Sequence, residues 1–121
     1  MTIKPYWLLP ALLLALPVLA ADLTRTEVEH RLAGASSEKL ADLRRKDLTD
    51  LDLSKLDFRQ ADLWGSDLRR ANFSHSDLSG LNLDLSVMSK INLSGANLSN
   101  TSVFGVHIGG ADLRRSGNRK A

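Results

Sequence analysis

There is no cysteine among the 121 residues, and that absence closes several routes at once. No disulfide framework, thiolate metal site, cysteine nucleophile or lipid-modified cysteine can be built, so packing alone must hold the chain together. Charge of one sign is missing too. Sixteen basic residues against 14 acidic ones leave a net charge of +2, which marks neither a nucleic-acid binder nor an acidic tail. No apolar run reaches the ~20 residues needed to span a bilayer. The histidines, His30, His75 and His107, lack any mutual spacing suited to a metal ion, and no Ser/His/Asp grouping stands out. The sequence therefore predicts no catalytic residue, no cofactor and no metal. The length allows one small domain, and so short a chain buries little core unless its architecture is regular.

The first twenty residues stand apart from the rest. Lys4 is a short positive segment, Trp7 to Val18 an apolar one, and Val18-Leu19-Ala20 a small-residue cleavage site. That is the layout of a secretory signal peptide. Cutting after Ala20 places Val18 at position −3, whereas cutting after Ala21 would place Leu19 there. The alternative is a retained membrane anchor, but the apolar stretch is short and Pro10 and Pro17 interrupt it. The expectation is a bacterial periplasmic or secreted protein, with 1–20 a signal peptide and no stable span after its removal.

From Leu43 onward an apolar residue returns every five positions. The series runs Leu43, Leu48, Leu53, Phe58 and on through Val103, Ile108 and Leu113, and all fifteen members are apolar. In a chain that is 43% hydrophobic, chance would produce this about once in several hundred thousand tries. Period five suits neither regular element. On an α-helix it advances about 500°, so no face is held. On a strand an odd period flips the residue to the opposite face each time. The chain must therefore turn once per pentad, and short strand plus corner, repeated, makes a solenoid. Two residues before nearly every central apolar residue sits another small or apolar one, such as Ala61, Ala71, Leu81 or Ile91, sharing its inward face. Between the two lies Asp or Asn in twelve of fifteen pentads, pointing outward, with polar residues or glycine at the corner. The rows of Asp thus belong to the repeat, and Gly109-Gly110 is a corner rather than a phosphate loop.

Ala61-Asp62-Leu63, Ala71-Asn72-Phe73, Ala96-Asn97-Leu98 and Ala111-Asp112-Leu113 resemble the A(D/N)LXX motif of the pentapeptide-repeat family. The resemblance covers residues 41 to about 115. It implies an all-β, right-handed quadrilateral β-helix with four pentads per coil. Nearly four coils at the strand spacing make a rod about 18 Å tall. Each interior residue then stacks on its equivalent twenty positions later, as in the column Leu43, Leu63, Leu83, Val103. Lys46 departs from the pattern at an inward position of the first coil, and Val87, Ser102 and His107 replace the outward Asp or Asn.

A solenoid needs its ends covered. Residues 21–40 read as a cap or leader: Thr26 as N-cap, Glu29 closing a capping box and Gly34 ending a short helix, with Val28 and Leu32 on one face over the first coil. A loosely ordered leader is the alternative, and a second short helix around Ser37 to Leu43 is a further option. The tail, 116–121, is polar and basic and offers nothing to seal the last coil, so either the end frays or another molecule covers it. The uncapped edge invites pairing, self-association included.

Two surface features remain. With a twenty-residue coil, Trp64 and Phe104 share an outer corner, with Leu85 between them, as a candidate contact patch; alternatively each folds onto a neighbouring corner. Arg69, Arg70 and Lys90 form a candidate basic face, with Arg114 and Arg115 on the next, for anionic lipid or cell-wall polymer; alternatively they are a solvated surface. The leading expectation is a non-enzymatic interaction scaffold in the envelope, its partner an unknown protein or envelope polymer. Some relatives in the family mimic DNA and protect gyrase, but near-neutral charge, basic patches and an export signal oppose that reading, and no nucleic acid is expected. A self-stacking rod is a further alternative.

Overall fold

The computed structural model describes residues 23–117, so the expected signal peptide at 1–20 and the last residues of the tail lie outside the described residues. The described residues begin with helix α1, Arg25–Ala33, and strand β1, Ala41–Asp42. Strand β2, Ala61–Asp62, lies parallel to β1 with Ala41 opposite Ala61. Single-residue parallel bridges then repeat this offset, from Asp47↔Asp67 through Asp77↔Asn97 to Asn97↔Gly117. Every pairing joins residues twenty apart, so each turn of the chain climbs by one strand spacing. The result is a β-helix whose walls are parallel ladders.

The corners follow from local chemistry. The first three residues of Leu68-Arg69-Arg70-Ala71 fold back so that the Ala71 N–H donates to the Leu68 carbonyl at 3.1 Å. The third residue, Arg70, has φ 60°, as a type II turn requires. The same left-handed position recurs at five-residue spacing, Gln60 excepted, at Lys55, His75, Leu85 and Lys90 among others, and at Gly65, Gly80 and Gly95. Holding a side chain there costs about 1–2 kcal/mol, so something must fix the corner. The outward Asp or Asn does so. The Asn72 Oδ1 accepts the Ser74 N–H at 2.9 Å, the Asp57 Oδ1 the Arg59 N–H at 3.0 Å, and the Asn97 Oδ1 the Ser99 N–H at 3.0 Å.

Inside, the central residues Leu43, Leu48, Leu53, Phe58, Leu63, Leu83 and Leu93 are fully buried, each contributing about 1.5–3 kcal/mol of apolar transfer. Phe58 and Phe73 tilt against each other with ring centroids 5.1 Å apart. Ser66 and Ser76 take inward positions and spend their hydroxyls on the carbonyls of Leu43 and Leu53. Among the described residues no buried side-chain nitrogen or oxygen lacks a partner.

The helix differs from the expected one in frame. Thr24, not Thr26, is the N-cap, and its capping partner is Glu27, not Glu29. Both Thr-x-x-Glu frames satisfy the capping rule, and burial decides between them. Starting at Thr24 puts Leu23 just before the cap and Val28 four residues beyond it, a hydrophobic staple. Both are buried in the core cluster. It also frees Arg25 to donate to the carbonyls of Asp52 and Ser54, at 2.9 and 3.1 Å, while Arg31 donates to the Asp42 carbonyl at 3.1 Å. Gly34 ends the helix as expected, but with φ −92°, so its left-handed freedom is unused. No second helix forms around Ser37 to Leu43. Ser36 and Lys39 close a turn by mutual backbone bonds, and the Ala41 N–H is already committed to the Gln60 carbonyl at 2.8 Å.

Candidate functional site

The aromatic corner is built by the twenty-residue register. Trp64 and Phe104 occupy equivalent positions, and the residue between them is Asp84, with Leu85 one step further round the corner. Trp64 is half-buried because the Arg45 guanidinium lies over its ring, 5.6 Å from the centroid. Asp84 reaches to the next coil instead of turning out: its Oδ1 accepts the Ser102 hydroxyl at 2.6 Å and the Phe104 N–H at 2.8 Å. It thereby replaces the missing outward Asp or Asn at Ser102. Leu85 is 47% exposed and leans over Gly105, where an added Cβ would meet its Cδ2 at 2.7 Å. Phe104 is 77% exposed, the most open large apolar side chain among the described residues.

The basic faces are mostly paired. Arg69 holds Asp67 at 2.6 Å, Arg70 holds Asp50 at 2.7 Å, and Arg114 holds Asp112 at 2.8 Å. The guanidinium of Arg114 keeps the Asp112 carboxyl down at about 2, and Arg44 does the same for Asp42, also about 2. Asp50 and Asp67 are lowered by the side-chain hydrogen bonds from Arg70 and Arg69. Lys90 and Arg115 make no ion pair among the described residues. Arg115 sits with His75, Ser94 and Arg114 around a shallow depression of about 290 Å³.

Two further features lie at the ends of the β-helix, and only the first was not anticipated from the residues. A cleft of about 630 Å³ lies between α1 and the first coil, lined by Leu32, Leu40 and Leu56 with Glu29 and Arg59 at its rim. The second is the C-terminal coil, where the inward series loses its cover: Val103, Ile108 and Leu113 are 54, 41 and 46% exposed. His30, His75 and His107 are all exposed, and no group of His, Asp or Glu among the described residues is placed to hold a metal ion. No helix among them is long and apolar enough to cross a membrane.

A comparison with curated proteins finds no match. Among solved structures, a pentapeptide-repeat protein from the Arabidopsis thaliana thylakoid lumen aligns at 29% identity over 63% of this chain and 55% of its own, with a TM-score of 0.40. A pentapeptide-repeat protein from the cyanobacterium Cyanothece 51142 aligns at 22% identity over 64% of this chain and 56% of its own, TM-score 0.34. HetL, a pentapeptide-repeat protein involved in heterocyst differentiation regulation in Nostoc sp. strain PCC 7120, aligns at 28% identity over 67% of this chain and 42% of its own, TM-score 0.24. The chain thus spans about half the length of these structures. The family model for pentapeptide repeats matches eight copies across residues 40–65, 52–89 and 66–103. Those segments run through the ladders and corners described above, and on them the chain belongs to the pentapeptide-repeat family, with its right-handed β-helix type of fold.

Proposed function

We propose that this chain is an exported, non-enzymatic binding scaffold of the bacterial envelope: a rod of nearly four square coils over residues 41–115, closed at its N-terminal end by α1. The observation that carries the reading is the contrast between a fully satisfied interior and an outer corner that is not. Phe104 presents 77% of its surface to water on a backbone fixed by the Asp84 carboxylate. A large aromatic held out by a rigid frame is what a partner protein or an envelope polymer would cover. Membership of a family of structural repeat proteins agrees with a binding rather than a catalytic role. Export rests on the layout of residues 1–20, with Lys4, the apolar stretch and the site after Ala20.

The test is a photo-crosslinking residue at Phe104 in the chain expressed with its leader. A single dominant heterologous product from the envelope supports the scaffold and names the partner. No product at Phe104, with the protein folded and present, removes the aromatic corner as a binding site. The mass of the recovered chain decides export separately. A product beginning at Ala21 means that the leader is cleaved, and a full-length chain in the membrane means that it is retained.

A further inference from the structure

The C-terminal coil differs from the one beneath it in two ways that point to the same occupant. The first is apolar exposure. Leu83, Met88 and Leu93 are at most 1% exposed, while Val103, Ile108 and Leu113, their equivalents twenty residues on, are about half open. The second is the backbone edge. The N–H groups of Leu83, Met88 and Leu93 donate upward to the carbonyls of Ser102, His107 and Asp112, at 2.8, 2.6 and 2.8 Å. The carbonyls of Leu81, Ser86 and Ile91 accept from the same three residues, at 2.9, 3.3 and 2.9 Å. One coil later, the N–H groups of Val103, Ile108 and Leu113 and the carbonyls of Thr101, Val106 and Ala111 find no partner among the described residues. Three walls of the rod therefore each show a carbonyl and an N–H flanking one outward residue.

That arrangement is complementary to itself. In an antiparallel ladder, two strands can exchange a carbonyl and an N–H on either side of a pair of facing residues. A two-fold axis in the plane of the coil end turns every wall antiparallel to the wall it meets. The opposite end of the rod cannot serve as the mate. There Val28 fills the core, and Arg25 and Arg31 already occupy the carbonyls of Asp52, Ser54 and Asp42. A contact that can be made only end to like end closes after two copies.

We propose that the C-terminal coil face, centred on Val103, Ile108 and Leu113, docks a second copy of this chain, giving a closed two-fold dimer and not a filament. This goes beyond the scaffold reading and holds whether or not the Phe104 corner has a partner.

The experiment is sedimentation of the chain, recovered as the cell delivers it, across a concentration series. A monomer–dimer equilibrium is expected, and Ile108→Asp should weaken it at least tenfold with the circular dichroism of the β-helix kept. The absence of native cysteine allows a second readout that does not depend on a destabilised variant. Ser102→Cys or His107→Cys, treated with a short bifunctional thiol reagent, should give covalent dimer, and Glu29→Cys on α1 should not. A monomer at every concentration overturns the proposal. So does a ladder of trimers and larger species, and so does a cross-link from Glu29→Cys as strong as that from the coil end.

Discussion

At the scale of the residue, the repeat is a solution to one problem: how to hold a left-handed corner every five residues in a chain that is not mostly glycine. The outward Asp or Asn clamps the N–H two residues on, and the corner residue follows. Where glycine takes the corner, two different costs can be separated. Gly80 has φ 72° and nothing near its missing Cβ, so Gly80→Ala should cost about 1 kcal/mol from backbone strain alone. Gly95, at φ 70°, lies under His75, whose Nδ1 would be 2.5 Å from an added Cβ. Gly95→Ala should therefore cost more than Gly80→Ala, and His75→Ser should return the excess. Urea melts of the two singles and the double variant form the cycle that measures this coupling.

The same residues set the acid limb of stability. Asp42 and Asp112 are held at about 2, and Asp50, Asp52, Asp57 and Asp67 are also lowered, through hydrogen bonds from arginines or, at Asp52, from Ser54. A carboxyl depressed in the folded state contributes stability above its unfolded value of 3.8, and loses it as pH falls toward the folded one. Thermal melts should thus be level above about pH 5 and fall between about pH 4 and pH 2. The pairs are exposed, so the fall is modest in each and visible only in sum. These pairings were legible in part. Asp67 and Arg69, like Asp112 and Arg114, stand two apart in the sequence, the spacing that lets the arginine fold back on the outward carboxylate. The arginines alone mark the basic faces in the sequence, without the acidic residues that Arg69, Arg70 and Arg114 hold.

At the scale of the element, α1 shows where local rules stop deciding. The overlapping frames Thr24-x-x-Glu27 and Thr26-x-x-Glu29 are equally good capping boxes, and only the burial of Leu23 and Val28 against the first coil selects one. Sequence periodicity could place the coils because a five-residue repeat allows little else. It could not place a nine-residue helix whose frame depends on what lies beneath it. Thr24→Ala should cost about 1 kcal/mol, whereas Thr26→Ala, on an exposed helical position, should stay within about 0.5 kcal/mol. Chemical denaturation of the two variants distinguishes the frames; equal effects would restore the frame at Thr26. The aromatic corner was limited in the same way. Equivalence of Trp64 and Phe104 follows from the twenty-residue register, but the shielding of Trp64 by Arg45 depends on which rotamers meet across two coils.

At the scale of the whole molecule, stability is graded along the axis. A stacked rod gains most of its free energy at interfaces between neighbouring coils, so a coil with one neighbour is held about half as well as a coil with two. The middle has both. Leu68 and Phe73 donate upward at 2.7 and 2.8 Å and are buried beneath coils above and below. Val103, Ile108 and Leu113 have neither an upward acceptor among the described residues nor a cover. Amide hydrogen exchange in dilute solution should therefore find Leu68 and Phe73 among the slowest amides and Val103, Ile108 and Leu113 among the fastest. Concentration turns this gradient into a second measure of the end-to-end contact. If two copies close the coil face, these three amides should gain protection as the dimer fills, while Leu68 and Phe73 stay unchanged, because opening the middle means opening the rod. Protection at Val103, Ile108 and Leu113 that is already high in dilute solution would mean that the chain covers its own end. Protection that stays low at every concentration would mean that the apolar face remains in water.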